Sequence, residues 1–228
     1  MTPLALLLPG LDGTGDLFQP FIAAAPADCP IRSMRLPADR PRGYDDLADA
    51  LLPVLPTEPF VLVAESFSGP LALLLANRCP RVCAVVLCAS FVKAPVTRLF
   101  SWLPSGLLRR PPPELALRLL MTGGDPALAK AVQRAVRSVD GDVLVGRIAA
   151  VLSVDVRREL ERLASPLLWV RAGRDRLVPS RCTDLVRTLK PSAELAVVDG
   201  PHLLLQARPA ESWRVIKAFL ERASMRHD

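Results

Sequence analysis

Several features are scarce in this 228-residue sequence, and each scarcity removes a class of protein. Aromatic residues make up only 5%, and four of the 29 basic residues are lysine. A nucleic-acid surface needs a dense basic stripe interleaved with aromatics on which bases can stack. Here no run of five basic residues occurs, and the net charge of +6 comes from scattered arginine. The arginines read as solvated surface, and no nucleic-acid partner is expected. No stretch of 18 apolar residues exists either. The longest candidate, residues 61–76, is broken by Glu65, Ser66, Ser68, Gly69 and Pro70, so no transmembrane segment is expected. The apolar run at residues 4–8 is short, lacks a basic flank and meets Pro9-Gly10. No signal peptide is read there, and a cytoplasmic location is the expectation. Cys29, Cys79, Cys83, Cys88 and Cys182 follow no metal-ligand spacing. An odd number of cysteines without a secretory signal reads as reduced, mostly buried thiols.

What is present is apolar. Half of the residues are hydrophobic and 23% charged, with a mean hydropathy of +0.28. That supports one sizeable core and excludes a disordered chain. Short apolar runs at 4–8, 31–36, 60–64, 82–88, 166–171 and 194–198 read as strands. Helical patterns fall at 16–25, 44–55, 69–78, 180–189 and 209–222. Such alternation marks an α/β protein with a mostly parallel sheet flanked by helices. Runs such as Val-Cys-Ala-Val-Val-Leu-Cys at 82–88 suit strands buried on both faces. One interval breaks the rhythm. Residues 91–163 are too long for a connection. They begin Pro-rich and apolar, then turn helical, with breaks expected at Gly123-Gly124-Asp125-Pro126 and Asp140-Gly141-Asp142. The reading is a core of 1–90 and 164–228 with a helical cap (lid) inserted at 91–163.

Chemistry concentrates in four segments. In Val63-Ala64-Glu65-Ser66-Phe67-Ser68-Gly69-Pro70 a strand turns tightly into a helix. A nucleophile on such a turn projects above the sheet, and its neighbours must be small. Ser66 meets this with Ala64, Ser68 and Gly69, although both glycines of the strict Gly-x-Ser-x-Gly pattern are replaced. Taken alone, the segment also allows Ser66 to be no more than a helix cap. Asp175 follows the strand at 166–171, and His202 follows the strand at 194–198. All three then fall on the C-terminal edge of a parallel sheet, where sites of open α/β sheets form. Their chain order, Ser then Asp then His, is the order of one known triad arrangement. The other histidine, His227, lies in the polar tail, and Asp199 reads as a turn former. A fourth segment, Leu8-Pro9-Gly10-Leu11-Asp12-Gly13-Thr14-Gly15, follows the first strand. Its backbone N–H at Leu11, with that of Phe67, would face a developing oxyanion, each such donor being worth ~10²–10³ in rate. A dinucleotide loop is excluded because Phe18 stands where a third glycine is needed. Asp12 and Thr14 read as stabilisers of this loop.

Pro-Gly-Leu-Asp-Gly-Thr-Gly together with Glu-Ser-Phe-Ser-Gly-Pro resembles the α/β-hydrolase superfamily, and within it the small esterase, lipase and thioesterase-like members, including relatives of plant phytyl ester synthases. The resemblance covers nearly all of the chain except the insertion, which occupies the place of the family's cap. The chain opens at what corresponds to the family's third strand, and Pro9 stands where many relatives have His. The resemblance implies Ser66 as nucleophile, His202 as base, Asp175 as acid and Leu11 and Phe67 as oxyanion donors. It implies a small-molecule ester or thioester substrate, with no metal and no organic cofactor. Leu99, Phe100, Trp102, Leu103, Leu107 and Leu108, early in the insertion, are candidates for an acyl pocket. Alternative expectations are acyl transfer through the same acyl-enzyme, or a ligand-binding protein that kept only the fold.

Overall fold

A computed structural model describes residues 3–95 and 112–225. Six strands form one sheet in the order β2-β1-β3-β4-β5-β6: β1 Leu4–Leu8, β2 Ile31–Ser33, β3 Phe60–Glu65, β4 Val82–Cys88, β5 Leu167–Ala172 and β6 Glu194–Val198. Every ladder between them is parallel. The central strands are buried on both faces because they divide two apolar layers. Leu6, Leu8, Phe60, Leu62, Ala64, Val85 and Leu87 face one layer, and Ala5, Leu7, Val61, Val63, Ala84 and Val86 the other.

The first layer is closed by α2 (Tyr44–Leu51), α3 (Ser68–Arg78) and α8 (Arg181–Leu189), through Leu47, Leu51, Leu71 and Val186. The second is closed by α1 (Gln19–Ala23), α9 (Leu204–Ala207) and α10 (Pro209–Ser224), through Phe21, Leu204, Trp213, Ile216 and Phe219. Phe21 and Trp213 stack at 4.4 Å, and the indole N–H donates to Phe21 O at 2.7 Å. None of the helices among the described residues is long and apolar enough to cross a membrane.

The expected elements are present with shifted ends. The helix expected at 16–25 is a 3-10 turn, Asp16–Phe18, followed by the short α1, and the strand expected at 31–36 keeps only Ile31–Ser33. The helix expected at 44–55 ends at Leu51 and tightens into a 3-10 turn with Pro53 inside it, since proline offers no N–H to an α-helical ladder.

Between β4 and β5 lie α4 (Glu114–Leu120), α5 (Pro126–Arg137), α6 (Gly141–Ser153) and α7 (Arg157–Arg162). Asp125 caps α5 by accepting the Ala127 and Leu128 N–H groups at 2.8 and 3.1 Å. Asp140 caps α6 in the same way from Asp142 and Val143. The breaks thus fall where Asp side chains satisfy the orphan donors of a new helix. A further break, at residues 154–156, carries no turn signal. There the chain is extended, with Ala94 N donating to Val154 O at 3.1 Å and Val156 N to Val92 O at 2.8 Å. Ala150, Val154, Val156, Leu160 and Leu163 belong to the first core layer, so the end of this segment packs with the sheet. Leu117, Ala129 and Val132 form a separate cluster with Leu203.

Candidate active site

Ser66 sits between β3 and α3 with φ of +50°, a conformation that costs a non-glycine residue about 1–3 kcal/mol. The strain is held from several sides. Ser66 N–H donates to Cys88 O at 2.9 Å, and Ser66 O accepts from Gly69 N–H at 3.1 Å and from Ser90 Oγ at 2.6 Å. Gly69 is required by this packing, because a Cβ there would fall on Ser90 Oγ. Ser68 Oγ donates to Pro9 O and ties the elbow to the loop after β1. Phe67 is clamped by Tyr44, whose ring stacks on it at 4.9 Å and whose hydroxyl donates to Phe67 O at 2.9 Å.

Asp175 follows β5 and His202 follows β6, and the two loops continue the pairing of their strands. Gly173 N–H donates to Val198 O at 2.8 Å and Arg174 N–H to Gly200 O at 2.9 Å. Ser66 Oγ lies 2.8 Å from His202 Nε2, and His202 Nδ1 lies 2.9 Å from Asp175 Oδ2. The side chains of His202 and Asp175 are 2% and 3% exposed, so water does not compete for this contact. A carboxylate only accepts, so in the neutral imidazole the proton sits on Nδ1 and Nε2 keeps a lone pair toward Ser66. Asp175 Oδ1 accepts the N–H groups of Leu177 and Val178 at 2.8 and 2.9 Å, which fixes the carboxylate. The neighbouring arginines do not hold it. Arg174 pairs with Asp199 at 2.9 Å, and Arg176 donates to Leu119 O.

The loop after β1 is tied to the elbow through Ser68. Asp12 Oδ2 accepts from Thr14 N and Oγ1 at 2.9 and 2.5 Å, the local bracing anticipated for these two residues. Among the described residues, neither the Leu11 nor the Phe67 backbone N–H has a hydrogen-bond partner. The candidate pocket residues Leu99, Phe100, Trp102, Leu103, Leu107 and Leu108 lie outside the described residues. Leu203, next to His202, is covered by Leu117, Ala129 and Val132 of the insertion.

Two neighbours of the site escape sequence reasoning. Glu65, directly before Ser66, is fully buried, and burial pushes its carboxyl from the ordinary 4.5 up to about 7. Gln206 Nε2 donates to it at 2.8 Å and Leu205 N–H at 3.4 Å, so it links the elbow to the segment following His202. The only signal was an acid inside an apolar strand. Arg147 of α6, expected on a solvated face with the other arginines, is 1% exposed. It reaches the loop after β1. Burial pushes the Cys88 thiol well up, with Glu65 adding to it, which disfavours the reactive thiolate. No three His, Cys, Asp or Glu side chains among the described residues converge as metal ligands.

Comparison with solved structures finds the same fold at low identity. The enol-lactonase from Burkholderia xenovorans LB400 superposes with a TM-score of 0.83 at 16% identity, covering 97% of this chain and 92% of that one. The bromoperoxidase from Bacillus anthracis gives 0.81 at 16%, over 97% and 92%. The thermophilic esterase from Thermogutta terrifontis gives 0.79 at 17%, over 98% and 90%. No curated protein matches the sequence. The model of the alpha/beta hydrolase family matches residues 5–214, a span that runs from β1 through the loop of His202, and the chain belongs to that family.

Proposed function

We propose that this chain is a serine hydrolase of carboxylic esters or thioesters that works through an acyl-enzyme. The observation that carries the reading is the unbroken contact from Ser66 Oγ through the His202 ring to Asp175, at 2.8 and 2.9 Å, on a serine held at positive φ. In this reading Ser66 Oγ attacks the acyl carbon while His202 Nε2 takes its proton. The carbonyl π electrons move onto oxygen, which is met by the N–H groups of Leu11 and Phe67. Collapse of the tetrahedral intermediate expels the alkoxide or thiolate, and His202 returns the proton to it. Water then repeats the sequence on the acyl-enzyme and releases the acid. Asp175 holds the imidazole tautomer and stabilises the imidazolium without taking the proton. The names of two similar structures, an esterase and an enol-lactonase, fit an ester carbonyl as the reacting group.

The insertion, apart from residues 150–163 that pack with the sheet, is assigned in this reading to a cap over Ser66, and the apolar residues early in it to the acyl pocket. The packing of Leu117, Ala129 and Val132 on Leu203 supports that placement. A series of p-nitrophenyl esters from acetyl to octanoyl tests both parts. Each buried methylene contributes about 0.8 kcal/mol, or roughly fourfold, so kcat/KM should rise from acetyl to medium chains. Trp102→Ala should flatten that rise while the acetyl ester is turned over as before. A Tm measured beside it separates loss of the pocket from loss of the fold. No turnover of any ester in the series would remove the hydrolase reading. An unchanged chain-length preference in Trp102→Ala would remove the pocket.

A further inference from the structure

The loop after β1 has its carbonyls bound one after another. Pro9 O accepts from Ser68 Oγ. Gly10 O accepts from Gly13 N–H at 3.0 Å and Gly13 O from Leu36 N–H at 2.8 Å. Between them, the carbonyls of Leu11 and Asp12 both accept from Arg147 Nη1, at 3.0 and 2.7 Å. A trans peptide points its C=O and N–H in opposite directions. With Gly10 C=O turned inward to close the turn, the Leu11 N–H of the same peptide is directed out of it. The residue that clamps the two central carbonyls comes from α6 of the insertion, far away in sequence.

Arg147 is a costly clamp. It is 1% exposed, its Nε is buried with no partner among the described residues, and its third contact is another carbonyl, Pro37 O at 3.1 Å. Desolvation lowers its pKa, offset by the charge of Asp12 nearby. A buried guanidinium facing carbonyls instead of a paired carboxylate is a poor source of stability. The local geometry is nevertheless built around it. At Gly13, φ is +67° and a Cβ would lie 2.5 Å from Nη1. At Gly146, beside Arg147, a Cβ would lie 2.7 Å from Pro41 Cβ, so α6 can approach closely enough for the guanidinium to reach the turn.

We infer that Arg147 is a positioning residue for the oxyanion hole. It locks the turn at residues 10–13 from the insertion, sets the direction of the Leu11 N–H, and makes stabilisation of the transition state depend on the docking of α6. The inference rests on the serine-hydrolase reading above.

The test compares wild type, Arg147→Ala and Arg147→Lys on p-nitrophenyl acetate, with Tm measured alongside and low-millimolar guanidinium added as a rescuing cation. A misdirected donor acts on the transition state and not on bound substrate. Arg147→Ala should therefore lose about 10–100-fold in kcat with KM within about threefold. Arg147→Lys, able to reach one carbonyl, should lose less. Guanidinium should restore part of the Arg147→Ala rate and leave wild type and Ser66→Ala unchanged. If Arg147→Ala does not fold, Arg147→Lys carries the comparison, with a kcat loss at unchanged KM expected. A kcat within about twofold of wild type, a loss expressed in KM alone, or a loss that tracks unfolding with no rescue by guanidinium would overturn the inference. Wild-type turnover in the presence of any of these results leaves the hydrolase reading standing. Absence of turnover in wild type on every ester from acetyl to octanoyl removes both.

Discussion

The two ends of the sheet differ in what they offer. Toward the N-terminal ends of the strands lies a cavity of ≈ 680 Å³, lined by Cys29, Val61, Cys83, Ala84, Trp213 and Lys217 among others. Its polar groups do not converge. Lys217 meets Asp28 only at 3.9 Å, and burial raises the thiols of Cys29 and Cys83 away from their reactive form. The C-terminal edge instead concentrates a serine at positive φ, a buried histidine and a buried aspartate within hydrogen-bond distance of one another. Volume records where packing stops, whereas chemistry requires groups aimed at one point and held there by bonds that have no other use. By that measure the candidate site is at the end of the sheet with the loops of β1, β3, β5 and β6.

The contrast is broken or sharpened by substitutions at each end. The largest effect among them is expected from Asp175→Asn, which keeps the shape but permits the wrong imidazole tautomer. Its kcat on an acetyl ester should fall by about 10⁴, and a fall below tenfold would separate Asp175 from the reaction. Glu65→Gln acts on stability. Glu65 keeps its proton up to about pH 7 in the folded chain, against 4.5 ordinarily. Below the lower value both states are protonated; between the two, only the unfolded chain gives up its proton. Stability should therefore drop as pH rises through this window, by about 3 kcal/mol, and level off above it. Urea midpoints at about pH 5 and pH 8 should differ in wild type by more than in Glu65→Gln; equal differences would show that Glu65 titrates normally. The smallest effect belongs to the cavity end, where Cys83→Ala should leave kcat within about twofold. A larger loss there would mean that the cavity is coupled to catalysis.

Much of this architecture was legible in the sequence because it rests on local rules. Strands buried on both faces show as continuous apolar runs, and Leu4–Leu8 and Val82–Cys88 fall where those runs do. The elbow and the Ser-Asp-His order were legible for a similar reason, since each residue follows its strand directly and parallel pairing then brings the strand ends together. Arg147 was not legible. An arginine on a helix reads as surface, and its burial depends on two glycines, the distant Gly13 and the adjacent Gly146, that make room for close approaches. Glu65 was hidden by the opposite effect, because its partner Gln206 follows the last strand and only the closed sheet brings them to 2.8 Å. The extended break at residues 154–156 was not legible either, as it is set by pairing with Val92 and Ala94 and not by a turn residue.

The central claim is that Ser66 is the nucleophile, and the most direct measurement is peptide mapping after reaction with a fluorophosphonate. The account predicts one phosphonylated residue, Ser66, and no adduct in Ser66→Ala protein of unchanged Tm. Ser68, whose hydroxyl is bound to Pro9 O, should remain unmodified. An adduct on Ser68, or labelling that persists in Ser66→Ala, would contradict it.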